Sequence, residues 1–139
     1  MATSRQRGWF GAALLAGLAY LLIGILFAIP AGHRSEWRLA AWIVSLAVFG
    51  AHFAYERVPP RHIPPRVALH VAVGVALGAF ALAVAGMIHD LTTTSAIRRV
   101  WWLALVLWPV VAAVPAFVVA LIAATMSTRL RPNPPEREE

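Results

Sequence analysis

The sequence contains no cysteine and very little charge. Only 13% of its 139 residues are charged, about half the share of a typical soluble domain, whereas 60% are apolar. Without cysteine, the chain has no disulfide, thiolate metal site, iron–sulfur cluster or cysteine nucleophile. With so few charged residues, it cannot cover a water-facing surface. These shortages indicate an integral membrane protein that forms a single domain.

Acidic residues are scarcer still, at six against twelve basic residues, and every basic residue is an arginine. In a soluble protein this excess would suggest nucleic acid. Here the arginines flank apolar runs, which is the pattern of side chains that meet anionic lipid headgroups. We therefore expect the lipid bilayer, including anionic lipids, as a partner and no nucleic acid. The arginines expected at headgroups are Arg57, Arg61, Arg66, Arg129 and Arg131.

Four apolar runs cover residues 9–29, 37–55, 67–88 and 100–126. Each is long enough to cross a hydrocarbon core of about 30 Å as a helix. The alternation of a membrane β-barrel is missing. The first run is longer than the apolar core of a signal peptide, so we expect it to be retained. The sequence predicts an all-α integral membrane bundle of four transmembrane helices within residues 1–128. A disordered cytoplasmic tail rich in proline and charge is predicted over 129–139.

Arginine also predicts the orientation of the bundle. Eight arginines lie in the N-terminal segment, the middle connection and the C-terminal tail, and four lie in the other two connections. Positively charged connections stay on the cytoplasmic side of a membrane. Both termini are therefore predicted to be cytoplasmic, in a cell membrane of the bacterial inner-membrane type.

Small residues predict where the helices pack, because lipid is as apolar as leucine and gives them little hydrophobic drive to associate. Glycine recurs at a spacing of four or eight on the third run and seven on the first. The predicted packing positions are Gly17, Gly24, Gly74, Gly78 and Gly86. A similar stripe on the second run comprises Ala47, Gly50, Ala51 and Ala54, and these stripes suffice to close a compact bundle or could equally serve a partner chain. Since the connections are short, helices adjacent in sequence are expected to be antiparallel neighbours.

The candidate cofactor-binding residues are His52, Glu56 and His70. The histidines lie at matching depth on the second and third runs, and Glu56 follows His52 by one helical turn. Two imidazoles on facing helices suit the axial positions of haem b. The same set suits a proton relay or a divalent metal. The plainer alternative is that the histidines bond nearby carbonyls and Glu56 pairs with Arg57 or Arg61.

The outer connections contain a second polar set, His33, Glu36, His89 and Asp90. Loop charges of this kind are usually solvated, so no metal site is predicted there. Asp90 and residues 92–95 are instead expected to cap the lead-in to the fourth helix.

No catalytic residues are predicted, because the sequence has neither a glycine-rich phosphate loop nor a Ser–His–Asp spacing. The leading expectation is a non-enzymatic accessory or scaffold subunit of a larger membrane assembly, bound to other transmembrane subunits or to itself. One alternative is a haem-binding electron carrier that uses His52 and His70. Another is a small channel or a proton-linked transporter.

Overall fold

The computed structural model describes residues 3–28, 34–57, 63–94 and 99–129. All of them except Ile63 lie in four α-helices: α1 Thr3–Ala28, α2 Arg34–Arg57, α3 Pro64–Thr94 and α4 Arg99–Arg129. Each helix is long and apolar enough to cross a membrane. The prediction of an all-helical chain with four such helices is confirmed. The predicted tail lies outside the described residues, apart from Arg129, which ends α4. His33, Arg61 and Arg131 also lie outside them.

The ends of α3 show how the helices extend past the apolar runs. The carbonyl of Ile63 accepts hydrogen bonds from the backbone N–H groups of Arg66 and Val67, at 2.9 and 3.3 Å. Pro64 and Pro65 occupy the first positions of the helix, where an N–H group would have no helical partner. At the other end, the hydroxyl of Thr93 donates to the carbonyl of His89 at 2.8 Å. The expectation that residues 92–95 cap α4 is therefore wrong for the described threonines, which continue α3.

The central element of the bundle is α3. It packs most extensively against α4 and then against α1, whereas α2 makes smaller contacts with α1 and α3. The expectation that helices adjacent in sequence are neighbours in space therefore does not account for the packing of α1 against α3. That contact forms because both helices are lined with glycine and alanine where they meet.

Pairs of contacting residues fix the helix directions. Trp9 contacts His70 and Gly24 lies against Leu82, so α1 and α3 run parallel. Glu56 of α2 reaches the start of α3, and Trp101 of α4 reaches its end, so both helices run antiparallel to α3. We call the end where α1 and α3 begin and α2 and α4 end the His70 end. The opposite end is the Asp90 end.

Glycines set the distance between α1 and α3. A Cβ atom on Gly78 would lie 2.5 Å from Cβ of Tyr20 and 3.2 Å from the carbonyl oxygen of Gly17. A Cβ atom on Gly17 would lie 3.0 Å from Cβ of Leu77. These neighbours are backbone or backbone-attached atoms, so only glycine permits this separation. Farther along, Gly24 lies against the side chain of Leu82.

The small-residue stripe of α2 is not used in this way. Ala47, Gly50, Ala51 and Ala54 are all exposed, and nothing lies within 4 Å of a Cβ atom built on Gly50. The opposite face of α2 packs inward, with Phe49 and Phe53 against a core of Ala68, Val71 and Ala120. The expectation that this stripe closes the bundle is wrong for the single chain.

The outer surface is apolar on every helix. Large side chains such as Leu15, Trp42, Leu103 and Val106 are each more than 60% exposed. Soluble monomers rarely expose apolar patches of this extent. α4 contributes much of this surface and continues as one helix through Pro109 and Pro115.

Candidate functional site

A buried carboxylate–imidazole pair lies at the His70 end. Oε2 of Glu56, in the last turn of α2, is 2.7 Å from Nδ1 of His70 on α3. Glu56 is only 2% exposed and His70 only 5% exposed. At this separation the Nδ1–H group of His70 donates to the carboxylate, which fixes the orientation of the ring. Glu56 thus bonds to His70 on the facing helix. The plainer alternative from the sequence paired Glu56 with Arg57 or Arg61 and did not include this bond.

The indole of Trp9 covers one face of His70. The two ring centroids are 4.4 Å apart and the ring planes differ by 12°, so the rings are stacked. The sequence places Trp9 at a membrane boundary, where tryptophan commonly meets headgroups. Its contact with His70 depends on the parallel packing of α1 and α3, for which the sequence offers only the shared glycine spacing.

His52 completes the cluster from α2, one helical turn before Glu56. It is 6% exposed, and neither ring nitrogen has a hydrogen-bond partner among the described residues. The ring lies against Gly74, where a Cβ atom would be 2.8 Å from Cε1 and 3.0 Å from Nδ1 of His52. Ala16 of α1 approaches the same point of Gly74. The suggestion that His52 bonds a nearby carbonyl therefore finds no counterpart in the described residues.

No family model, curated protein or solved structure matches this chain. The chemistry of the cluster therefore rests on its geometry alone.

A metal ion does not fit the geometry of this cluster. The described residues contain no group of three His, Asp or Glu side chains placed to hold one. At the Asp90 end, Glu36 and His89 are exposed, whereas Asp90 is buried. Among the described members of the polar set of the outer connections, none belongs to a group of three side chains that could hold a metal ion.

Axial haem ligation would require both imidazoles to face a shared flat cavity. One face of His70 is covered by the stacked indole of Trp9. The His52 ring packs onto Gly74, in a seam where α1 and α3 are in van der Waals contact. The stack and the tight seam thus occupy space beside both rings that a macrocycle would need.

A second buried carboxylate lies at the opposite end of α3. The indole Nε1–H of Trp101 donates to Oδ2 of Asp90 at 2.7 Å, and Asp90 is 7% exposed. The six-membered ring of Trp101 lies directly over Gly86, so a side chain at that position would displace the indole. Asp90, expected to cap α4, instead joins α3 to the side chain of an α4 residue.

Proposed function

We propose that this protein is a non-enzymatic subunit of a larger membrane assembly, and that α2 binds a transmembrane helix of another subunit. The observation that carries the proposal is the open small-residue face of α2. Ala47 and Ala51, and likewise Gly50 and Ala54, are spaced four residues apart and exposed. Such pairs allow two helix backbones to approach closely in lipid.

The contrast with α4 supports this assignment. The exposed residues of α4 are mostly large and branched, as suits contact with lipid chains. α2 is the least apolar of the four candidate membrane spans, yet it buries little of its surface within the chain. A less apolar helix that exposes a small-residue face, beside large side chains such as Trp42 and Leu46, suits a protein neighbour better than lipid.

The proposed orientation places the His70 end in the cytoplasm. Arg57, Arg66 and Arg129 lie at that end, at the ends of α2 and α4 and in the first turn of α3. They support the orientation because juxtamembrane arginines stay on the cytoplasmic side and bind anionic headgroups there. In this arrangement both termini are cytoplasmic, in a cell membrane.

Site-directed cross-linking tests the proposal, because the cysteine-free chain permits a single reactive thiol at any position. Gly50→Cys, treated in native membranes with a short bifunctional reagent, should give an adduct that contains one copy of this chain and one copy of a different chain, as identified by mass spectrometry. Val111→Cys, on the exposed face of α4, is the matched control and should give much less adduct.

A substitution complements the cross-link. Gly50→Leu should release the partner, because a branched side chain separates the two backbones. Gly11→Leu, at another glycine with nothing within 4 Å of its Cβ position, should leave the assembly intact. Retention of the partner by Gly50→Leu would contradict the proposal. An adduct with twice the mass of the chain would also contradict it, because α2 would then bind a second copy.

The visible spectrum checks the haem alternative independently. We expect the protein purified in mild detergent to be colourless after expression with excess haem. A Soret band that disappears in both His52→Gln and His70→Gln would support the electron carrier instead.

A further inference from the structure

The cluster at the His70 end contains a buried imidazole that makes no hydrogen bond to any described residue. His52 is 94% buried, and both of its ring nitrogens are without a hydrogen-bond partner there. Burial of a polar group without hydrogen bonds is unfavourable, and native structures rarely retain such a group unless it has a role. Phenylalanine or leucine would fill the same space without that cost.

Two ionisable neighbours of His52, Glu56 and His70, influence whether its ring carries a charge. It lies close enough to Glu56 and His70 to interact electrostatically with both. Glu56 shares its helix face, and the hydrogen bond to His70 holds the carboxylate in place. Burial disfavours the charged form of an imidazole, whereas a fixed carboxylate beside the ring stabilises that form.

We propose that His52, Glu56 and His70 form a proton-binding site that is loaded from the His70 end of the bundle. A proton passes from a hydronium ion in the adjoining water to the lone pair of the unprotonated ring nitrogen of His52, so that one N–H bond forms, one O–H bond breaks and a water molecule is left. The ring gains one positive charge, which the Glu56 carboxylate stabilises. His70 and the stacked Trp9 orient that carboxylate, so they are positioning residues. This inference goes beyond the proposed subunit role, which rests on the opposite face of α2.

The surroundings of His52 define the charges that act on it. Its own helix contributes Glu56, α3 contributes His70, and α1 contributes the apolar Ala16 at the point of closest approach. The other described charged side chains at this end are partly or fully exposed, and they are Arg57, Arg66 and Arg129. The site is near water, because α2 ends five residues, or about 7.5 Å, after His52.

The site binds a proton but does not belong to a path through the bundle. His70 and Asp90 are about 30 Å apart along α3. The buried residues of α3 between them are all apolar: Val71, Ala72, Gly74, Gly78, Ala79 and Ala83. Proton transfer across that distance would need intervening polar groups. The buried face of α3 supplies none, which supports exchange from the His70 end.

Nuclear magnetic resonance of the full-length protein tests the site. The five histidines are labelled with ¹⁵N, the protein is placed in lipid nanodiscs, and the His52 signal is assigned with His52→Gln. The sample is titrated over the pH range in which an imidazole changes charge, and we expect the His52 signal to shift within that range. A His52 signal that stays constant over that range in the unaltered protein would overturn the proposal without any variant.

Glu56→Gln then tests the role of the carboxylate. It keeps the size of the side chain and removes its charge, so the proton affinity of His52 should fall about tenfold or more. Glu36→Gln, at the exposed Glu36 of the Asp90 end, is the matched control and should leave the affinity unchanged. An equal affinity in Glu56→Gln and the unaltered protein would contradict the assignment. If Glu56→Gln does not fold, Trp9→Phe, which retains an aromatic ring over His70, should preserve the His52 titration; its loss in a folded Trp9→Phe protein would count against the proposed geometry.

Discussion

The rings of Trp9 and His70 lie face to face, with centroids 4.4 Å apart, and Nδ1 at the edge of the His70 ring is hydrogen-bonded to Glu56. Three helices therefore meet in one continuous contact, because Trp9 belongs to α1, His70 to α3 and Glu56 to α2.

Removal of the stack should destabilise the His70 end. Trp9→Leu keeps an apolar side chain but loses the aromatic pairing, which is worth about 1 kcal/mol beyond the buried area. We expect a lower melting temperature in mild detergent. Trp42→Leu is the control, since Trp42 is 69% exposed, and it should have a much smaller effect. Equal losses in the two variants would show that the stack contributes nothing specific.

The glycines of the α1–α3 seam should differ in their tolerance of a methyl group. Gly78→Ala meets Cβ of Tyr20, which cannot move without the backbone, so we expect a loss of about 1–3 kcal/mol. Gly24→Ala meets the flexible end of Leu82 and should cost less. Gly11→Ala meets nothing and should be neutral or stabilising, because alanine favours helix more than glycine does. Thermal denaturation of the three variants in one detergent gives the order.

A double variant checks the reason for that order. Leu82→Ala removes the atoms that a methyl group at position 24 would meet, so Gly24→Ala should cost less in that background than alone. Tyr20→Phe keeps the Cβ atom and should not relieve Gly78→Ala. Additive effects of Gly24→Ala and Leu82→Ala would contradict the packing described for this pair.

The hydrogen bond between Trp101 and Asp90 should contribute measurably to the stability of the protein. Trp101→Phe deprives the buried Asp90 of one donor, and a hydrogen bond to a charged group contributes about 1.5–3 kcal/mol. Trp102→Phe changes the adjacent residue, which is 60% exposed, and should have little effect. The measurement is the melting temperature of each variant. A similar melting temperature for both variants would show that this hydrogen bond does not stabilise the protein.

Reporter fusions test the orientation of the bundle in the membrane. A fusion after Met126 and one in the connection between α2 and α3 should both report the cytoplasm, and one within residues 92–95 should report the outside. The reason is the concentration of arginines at the His70 end. A cytoplasmic signal from the 92–95 fusion would invert the proposed topology.

The sequence was sufficient to predict the four helices, because long apolar runs have few other solutions in lipid. The glycine spacing identified residues that meet a neighbour, but it did not separate their partners: Gly78 meets α1, whereas Gly86 meets Trp101 of α4. The similar stripe on α2 shows the limit of the pattern. Spacing reveals that a helix face permits close approach, but not whether a partner within the chain takes that place.

The candidate site, like the helix packing, could be predicted from the sequence only in part. Helical periodicity places Glu56 on the same face as His52, and the hairpin brings His70 to a similar depth. The choice of partner for Glu56 depends on distances of a few tenths of an ångström between two helices, which no local pattern contains. Trp9 and Gly74 joined the cluster only once the parallel packing of α1 on α3 was known.

The glycine contact between α1 and α3 also constrains the order of events during synthesis. Gly17 and Gly78 are roughly sixty residues apart, which corresponds to several seconds of translation at about 5–20 residues per second. Throughout that interval the glycine face of α1 has no α3 to meet, although α2 is completed before the interval ends. The nascent chain therefore passes through a stage with two helices and an unsatisfied seam. A chaperone or a neighbouring subunit that shields α1 at that stage would act on biogenesis without touching the finished bundle.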